Sequence, residues 1–484
     1  MGMLKSISLE NYKCFKKLKV NEKEEMAIKP LTVLCGVNSS GKSSLIKSML
    51  MMKQSYEDNT ASNFMTFNGK YTDNGSFNDI LYENSSDKYF TITNEFEITQ
   101  SENITKDSTN YRDLCRLFYD NNISKFHIKN SVRIIGIQND DLINPNKISQ
   151  LIITIDLFKN EHVVKTSKIM IKLREKNIYR IDCKNVPDVS GNLGEVKISE
   201  CRCYFSSMSL NSIYQKEMTS NTKLYIPSIV SISNIMLTQY SQIKYIAPLR
   251  EDPKRHYIID KNVNSVGITG EDTPLLLKIV NNKKWRGICA PETDENVSNL
   301  LSKPDVVKFK NILQSWMTYF ELGVIYLKGS DNDIVKIEIN NHNIADVGFG
   351  VSQSLPILVE GLFMNSKQTL LLEQPEIHLH PKMQMRMADF LLSLAMQDKQ
   401  LVVETHSDHF INRLVRRCIE NEDFHEKVII YFIDKDENNN SNIQEIKIDK
   451  INGAICQNAN FFYQFASETE KIIDAGYNNL QKEI

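Results

Sequence analysis

The chain has 484 residues, of which 41% are hydrophobic and 24% charged, and its formal net charge is −2. This length exceeds one ordinary core and predicts two domains, or one large domain carrying an insertion. The balanced charge gives no global basic excess of the kind that marks nucleic-acid-binding proteins, and no run of about 18 apolar residues predicts a membrane span. The nine cysteines lack CxxC spacing and the N-terminus lacks the apolar stretch of a signal peptide. We therefore expect free thiols in a cytoplasmic protein without a membrane partner.

The first part of the chain predicts a strand, a glycine-rich loop and a helix. Residues 4–10 alternate apolar and polar side chains, which is typical of a half-buried strand. Residues 31–35, LTVLC, form a short apolar run that ends at a glycine and predicts a buried strand. A helix is predicted from Ser43 to about Lys53, since no breaker interrupts SSLIKSMLMMK. The order of these elements is the one that a phosphate site requires.

The loop between the buried strand and the helix fits the pattern GxxxxGK[ST]. In this pattern the glycines let the backbone amides point at phosphate oxygens, and the helix N-terminus adds partial positive charge. Lys42 is expected to reach the β- and γ-phosphates, and the Ser43 hydroxyl is expected to bind Mg²⁺. The alternative is a chance Gly/Ser loop, which both flanks disfavour. The predicted ligands are ATP and Mg²⁺, and the predicted nucleotide-binding residues are Gly36, Asn38, Ser39, Ser40, Gly41, Lys42, Ser43 and Ser44.

The middle of the chain has a different character. Residues 54–82 are rich in Asn, Gly and Ser and indicate turns and short strands. Residues 88–240 contain alternating and β-branched runs separated by polar turns, which predicts a β-rich insertion that ends in helices before Tyr245.

The second half again alternates strands and helices. Strands are predicted at 243–248, 369–373 and 400–407, and helices at 305–322, 353–364, 381–395 and 410–420. The runs KVIIYFID and NIQEIKID predict a hairpin around an Asn-rich turn.

Two of these strands end in side chains that suit a phosphate site. Glu373 ends the run TLLLE, where a P-loop needs a carboxylate for Mg²⁺. The alternative is a core strand ending in a solvated glutamate, which the following turn from Gln374 to Glu376 disfavours. His406 follows the run LVVET and could contact a γ-phosphate or the lytic water, or be structural.

Other polar clusters carry weaker signals. His378 and His380 could bind zinc, but no further ligand lies nearby in sequence, and contact with a partner subunit is the preferred interpretation. Asp434 and Asp436 could imitate a nuclease metal site, although a charged hairpin turn fits better.

Two groups of cations could contact DNA or RNA. The default interpretation is a solvated surface for each. The groups are Arg413, Arg416 and Arg417, and Arg250, Lys254 and Arg255.

The order GVNSSGKSS, LLLEQPEIHLHP and VVETHSD resembles ATPases related to SMC, RecF and the overcoming-lysogenization-defect (OLD) proteins. The opening LKSISLENYKCF is similar to their first strand. More specific segments resemble a bacterial subfamily of AAA-family ATPases with a small C-terminal domain of unknown function. These segments are FNGKYTDNGSF at 67–77, YIAPLREDPKRHY at 245–257, VGITGE at 266–271, DVGFGVSQSLPIL at 346–358 and NANFFYQF at 458–465.

The resemblance implies an α/β fold, an ABC-type P-loop ATPase head with a β-rich insertion and a small C-terminal appendage. The predicted head comprises residues 1–90 and 241–435, the insertion 91–240 and the appendage 436–484. Such heads form homodimers or higher homo-oligomers around ATP. Relatives occur as sensing subunits of anti-phage systems such as Septu and PARIS, which implies a separate effector protein, a nuclease, as partner.

Two positions depart from the ABC pattern. The signature loop, which contacts the γ-phosphate of another subunit, is expected at Gly348, Gly350 and Ser352, but Phe349 occupies the usual serine position. Gln374 replaces the glutamate that polarises the attacking water, so slow hydrolysis is expected, with Glu376 or His406 as substitutes. The alternatives are an OLD-like nuclease, a RecF-like DNA repair ATPase and a non-hydrolysing ATP-bound scaffold.

Overall fold

The structure is a computed structural model. It describes residues 2–455 except 59–63, 84, 100–108, 121, 137–145, 176, 207, 216–218, 259–261, 330–333 and 452. The segment 458–465, which contributes to the resemblance, lies outside the described residues.

Most strands of the first half form one antiparallel sheet that continues from the N-terminal strand. Its order is β11-β10-β9-β8-β7-β6-β5-β1-β2, and β3 pairs with β1. In chain order the strands are β1 (Gly2–Tyr12), β2 (Phe15–Lys17), β3 (Met26–Ala27), β4 (Leu31–Gly36), β5 (Tyr89–Thr99), β6 (Lys125–Gly136), β7 (Asn146–Lys159), β8 (His162–Glu175), β9 (Ile178–Pro187), β10 (Leu193–Ser206) and β11 (Ser209–Tyr214).

A second sheet, built from β4 and six strands of the second half, carries the loop of interest. Its order is β12-β19-β20-β4-β21-β22-β23, and the pairs from β12 to β21 are parallel. Besides β4, its strands are β12 (Ile243–Ile246), β19 (Thr369–Glu373), β20 (Gln400–Glu404), β21 (Val428–Lys435), β22 (Ser441–Asp449) and β23 (Gly453–Ile455). A smaller sheet contains β13 (Tyr257–Ile258), β16 (Ile325–Lys328), β17 (Ile334–Ile339) and β18 (His342–Asn343). Strands β14 (Lys284–Gly287) and β15 (Asp305–Lys308) pair with each other.

Helices pack against both of the larger sheets. They are α1 (Lys42–Glu57), α2 (Phe77–Ile80), α3 (Thr109–Leu117), α4 (Ser220–Ser241), α5 (Thr273–Val280), α6 (Phe309–Tyr319), α7 (Phe349–Phe363), α8 (Pro381–Met396), α9 (Asp408–Glu420) and α10 (Glu422–Lys427). Short 3₁₀ turns lie at Ser298–Leu301 and Ile344–Asp346.

Two apolar cores lie on the two faces of the parallel sheet. The core shared with the antiparallel sheet contains α1 and α4, whose Tyr56 and Tyr240 rings stack at a centroid distance of 4.7 Å. The other core contains α6, α7, α8 and α9, with Trp316 fully buried against Phe390. Burial on both faces explains why β4, β19 and β20 read as continuous apolar runs.

The predicted α/β class is confirmed, and most predicted elements are found. One element is wrong in part: residues 305–308 form β15 instead of the first turn of a helix, because the β-branched pair Val306–Val307 pairs with β14. Helix α7 begins at Phe349, four residues earlier than predicted. The predicted C-terminal hairpin is formed by β21 and β22, and β22 extends the parallel sheet. Within the described part of the chain, no helix is long and apolar enough to cross a membrane.

Candidate nucleotide-binding site

The carboxyl ends of three neighbouring strands meet at one edge of the parallel sheet. Strand β20 lies between β19 and β4, and Glu373 is in register with Glu404. Strand β4 ends at Gly36 and leads into the loop before α1. Ligands of open parallel sheets bind at this edge, so the sheet topology brings together residues that are more than 300 positions apart.

The loop has a backbone that only glycine tolerates at its two ends. Gly36 has φ 132°, and an added Cβ would lie 2.0 Å from the carbonyl oxygen of Ile433. Gly41, with φ 108°, is the residue before α1, and a Cβ there would lie 2.6 Å from Cys14 Sγ. These conformations curl the loop around the first amides of α1, which is the geometry of an anion-binding helix N-terminus.

Lys42 is held at the mouth of the loop. Its Nζ donates to the carbonyl oxygens of Gly36, at 3.1 Å, and Val37, at 2.6 Å. Burial lowers the Lys42 pKa, and the charge of Glu404 opposes this shift. An ammonium that is fixed this close to the loop amides can contact the terminal phosphates of a nucleotide.

Glu404 is the central carboxylate of the site, and the sequence analysis missed it. Its Oε1 accepts a hydrogen bond from the Ser43 hydroxyl at 2.9 Å. Its Oε2 is buried and accepts no hydrogen bond from any described residue. Burial raises the Glu404 pKa to about 7, with a further contribution from Glu373. The signal was present, since Glu404 ends an apolar strand just as Glu373 does.

The residues around Ser43 fit a magnesium ion. Mg²⁺ prefers hydroxyl, carboxylate, phosphate and water oxygens, and the Ser43 hydroxyl and the unpaired oxygen of Glu404 lie together here. Glu373 is adjacent, but its Oε1 accepts a hydrogen bond from the Tyr245 hydroxyl at 2.7 Å. Ser43, Glu404 and Glu373 are therefore the residues that would hold the ion.

A buried arginine anchors the turn after β19. Arg250, 5% exposed, donates to the backbone oxygens of Glu373, at 2.9 Å, and Gln374, at 3.3 Å. Gln374 has φ 46°, and its backbone N–H donates to the backbone oxygen of Glu404 at 2.8 Å. The default expectation that Arg250 is a solvated surface cation is wrong, because the carbonyl oxygens at the end of β19 bind it inside the protein.

Gln374 and His406 line the cavity at the loop, whereas Glu376 lies outside it and binds the backbone of His406. A cavity of about 470 Å³ is lined by Lys13, Cys14, residues 38–44, Gln374, Glu404 and His406. Glu376 is outside this lining, and its Oε1 accepts the backbone amide of His406 at 2.7 Å. Partial burial and the charge of Lys42 lower the His406 pKa. In this geometry Glu376 orients the histidine turn.

The residues of the proposed signature loop do not line the cavity. Gly348 precedes α7, Phe349 is 57% exposed, and none of the three predicted loop residues lines the cavity. The Ser352 hydroxyl donates to the Phe349 carbonyl oxygen at 3.0 Å. His378, in the turn after β19, packs on Phe349 with a ring distance of 5.7 Å.

Two arginines of helix α9, Arg413 and Arg417, are also buried inside the protein. Arg417 is fully buried and paired with Asp389 at 2.7 Å, and Arg413 is 5% exposed beside the same carboxylate. Arg416 remains half-exposed. The expectation of a solvated helix face is therefore wrong for Arg413 and Arg417, because Asp389 on α8 faces α9.

The remaining predicted positions have local partners. His380 caps α8 by accepting from the Lys382 amide, and Asp436 accepts from the amides of Asn438 and Asn440 in the hairpin turn. The described residues contain no cluster of three or more His, Cys, Asp or Glu side chains that could hold a metal.

A glycine-rich loop between a parallel strand and a helix, with its lysine, serine and strand-end carboxylates in place, defines the P-loop class of nucleotide-binding proteins. Residues 3–411 match the family model described as an AAA ATPase domain. The chain belongs to this family of ATPases.

Other comparisons are more distant. A Methanocaldococcus jannaschii protein described as uncharacterized is 25% identical over 216 residues, which cover 43% of this chain and 26% of that protein, so the match spans about a quarter of the relative. The SMC head domain from Thermotoga maritima aligns with TM-score 0.33 and 11% identity over 92% of this chain and 100% of that one. An SMC head of Pyrococcus furiosus bound to the C-terminal domain of ScpA aligns with TM-score 0.40 and 11% identity over 93% and 98%. These TM-scores support no conclusion about function.

Proposed function

We propose that the chain is a Mg²⁺-dependent, ABC-type ATP switch that hydrolyses ATP slowly. The observation that carries this proposal is the contact between the Ser43 hydroxyl and Glu404, beside Glu373 and Lys42, at the edge of the parallel sheet. The loop amides and Lys42 would bind the β- and γ-phosphates, and the bound ion would neutralise charge on them.

The slow rate follows from the groups that face the attacking water. Gln374 lines the cavity and can orient a water through its amide oxygen, but it cannot accept a proton. The loss of a general base typically costs about 10² to 10⁴ in rate. Partial burial and the charge of Lys42 lower the pKa of His406, which favours the neutral imidazole, and this side chain can also position the water.

The proposed switch needs a second copy of the chain. Phe349 and Gly348 are exposed at the start of α7, outside the cavity of their own subunit. An ATP-bound partner would place its phosphates against this helix N-terminus, which suits an anion. We propose a homodimer or higher homo-oligomer that closes on ATP and acts through a separate effector protein, such as a nuclease.

The test is ATP-dependent association. Light scattering should detect a monomer without nucleotide and a dimer or larger assembly with Mg–AMP-PNP. Gly350→Asp should abolish this association, since the carboxylate would face the triphosphate. An added Cβ at Gly350 meets its nearest atom, the His378 carbonyl oxygen, at 3.5 Å, which is an ordinary van der Waals distance.

The matched control is Asn341→Asp, which adds the same charge at an exposed turn and should associate normally. A wild-type protein that stays monomeric with saturating nucleotide contradicts the switch model. Lys42→Ala should lose both Mg–ATP affinity by calorimetry and nucleotide-dependent association.

A further inference from the structure

A second cavity lies at the open edge of the parallel sheet, away from the P-loop. It has a volume of about 520 Å³, within the range of small-molecule sites. We call it the edge cavity; its chemically important lining residues are Lys53, Glu57, Lys70, Tyr71, Lys244 and Glu360. Lys244 is on β12, the edge strand among the described strands, and Lys53 and Glu57 are on the last turns of α1.

The edge cavity carries more positive charge than its carboxylates neutralise. Lys53 is buried and paired with Glu57 at 2.5 Å. Lys70 and Lys244 form no ion pair with any described carboxylate: Lys70 lies over the Tyr71 ring at 5.3 Å, and Lys244 donates to the Asn264 carbonyl oxygen at 3.2 Å. Two lysines without carboxylate partners in one concave site, beside a third, favour an anionic ligand.

A buried acid in the same lining points to a ligand that also donates hydrogen bonds. Glu360 is 1% exposed, and its Oε2 accepts the Val266 amide at 2.7 Å. Its Oε1 accepts no hydrogen bond from the described residues. Burial raises the Glu360 pKa, while Lys244 and Lys399 oppose this shift. Such a group accepts an N–H or O–H donor or, when protonated, donates one itself.

The edge cavity has two structural links to the nucleotide site. Helix α1 begins at Lys42 in the P-loop and presents Lys53 to the cavity, about 17 Å further along the helix at 1.5 Å per residue. Tyr245 also lines the cavity, and its hydroxyl donates to Glu373 Oε1 at 2.7 Å. A ligand that moves Tyr245 therefore changes the position of a carboxylate at the magnesium site.

We propose that the edge cavity binds a small organic phosphate and that this binding changes the affinity of the P-loop for Mg–ATP through Tyr245 and α1. Lys70 and Lys244 contact the phosphate, and the buried end of the cavity at Glu360 receives the polar organic part. Binding is independent of the proposed switch function, whereas the change in ATP affinity rests on it.

The first experiment measures binding by calorimetry with pyrophosphate as the probe. The Lys42→Ala full-length protein removes the phosphate-binding lysine of the P-loop and should still bind one pyrophosphate per chain. Adding Lys70→Gln and Lys244→Gln should weaken this binding at least about tenfold, because two charge-assisted contacts are lost. Adding Lys303→Gln, an exposed lysine outside the cavity, should leave it unchanged.

Equal pyrophosphate affinity with and without Lys70 and Lys244, or no binding at all, would overturn the site. Binding of a 5′-phosphorylated oligonucleotide that needs both lysines, without binding of pyrophosphate, would overturn the small-molecule class.

The second experiment measures coupling between the sites. The affinity for Mg–AMP-PNP is measured at increasing pyrophosphate concentrations. The two proteins compared are the wild type, which retains Lys42, and its Lys70→Gln/Lys244→Gln variant. Competition at the P-loop is common to both proteins, so a difference between them reports the edge cavity. We expect a difference of at least about fivefold, the lower end of typical allosteric coupling.

Tyr245→Phe should reduce this difference while it retains pyrophosphate binding, because it removes the hydroxyl contact with Glu373 and leaves the link through α1. If pyrophosphate binds the edge cavity but the two affinity curves coincide, the coupling is refuted. Failure of Mg–AMP-PNP to bind at all refutes the proposed function and leaves the first experiment intact.

Discussion

Replacing Glu404 by glutamine should stabilise the nucleotide-free protein at alkaline pH. Burial next to Glu373 raises the Glu404 pKa from 4.5 to about 7. The folded state thus holds the proton more tightly than the unfolded chain does. This stabilisation is complete below pH 4.5 and is lost as the pH rises through 7. The difference between a pKa of 4.5 and one of about 7 corresponds to about 3 kcal/mol of unfolding free energy.

The assay is thermal unfolding in a chelator at pH 5 and pH 8. At about 2.1 cal/mol/K per residue, a chain of 484 residues has an unfolding entropy near 1 kcal/mol/K, so 3 kcal/mol corresponds to about 3 °C. The melting temperature of Glu404→Gln relative to wild type should rise by about this amount from pH 5 to pH 8. Glu437→Gln, at an exposed glutamate in the hairpin turn, should give no such change.

The same substitution should weaken function. Glutamine cannot supply the negative charge that a magnesium ion needs beside Ser43, so the Mg²⁺-dependent part of the ATP affinity should fall. If the melting temperature of Glu404→Gln relative to wild type does not rise between pH 5 and pH 8, burial of the Glu404 charge does not destabilise the folded protein. If it also binds Mg–ATP normally, Glu404 has no place in the site.

Three further predictions concern Gln374 and Glu376 near the cavity and Arg417 on α9. Gln374→Glu should raise steady-state ATP turnover by tenfold or more if the missing base limits the rate, and unchanged turnover contradicts that explanation. Glu376→Ala should slow turnover with little change in ATP affinity by calorimetry, because Glu376 holds the backbone amide of His406; equal losses in both would point to a general defect. Arg417→Met should cost about 3 kcal/mol in denaturant unfolding, because the buried Asp389 would lose the guanidinium that contacts both of its oxygens and keep, among the described residues, only Arg413 and the Tyr319 hydroxyl, and a cost below about 1 kcal/mol would contradict this contribution.

The sequence predicted the elements that local chemistry determines. The P-loop is specified by its glycines and by the apolar strand and uninterrupted helix around it. The predicted helix at 381–395 is compatible with Pro381 because proline is tolerated in the first helical turn, and α8 begins at that residue. The strand from 369 to 373 was predicted because a strand buried on both faces is apolar throughout.

The features that were missed depend on contacts between distant parts of the chain. Arg250 binds the backbone of Glu373, 123 residues away, and no local pattern distinguishes such an arginine from a surface one. Glu404 acquires its partner Ser43 only because β20 lies next to β4. Strand β1 also pairs with β5 and so joins the same sheet as the strands of 91–240, and this pairing has no local sequence pattern. The domain ranges proposed from the sequence therefore describe segments that share a core.

The central position of β4 has a consequence for synthesis on the ribosome. Leu31 pairs with Leu401 and Val428, so the neighbours of this apolar strand are made about 370 and 397 residues after it. At about 5 to 20 residues per second, the nascent chain carries the P-loop strand for roughly 20 to 75 s before the first of its neighbours is made. The strand-end carboxylates Glu373 and Glu404 of the candidate site are also encoded late, so the site is incomplete throughout the early steps. During this interval the apolar side chains of β4 lack both neighbouring strands, so only the early antiparallel sheet or a chaperone can cover them.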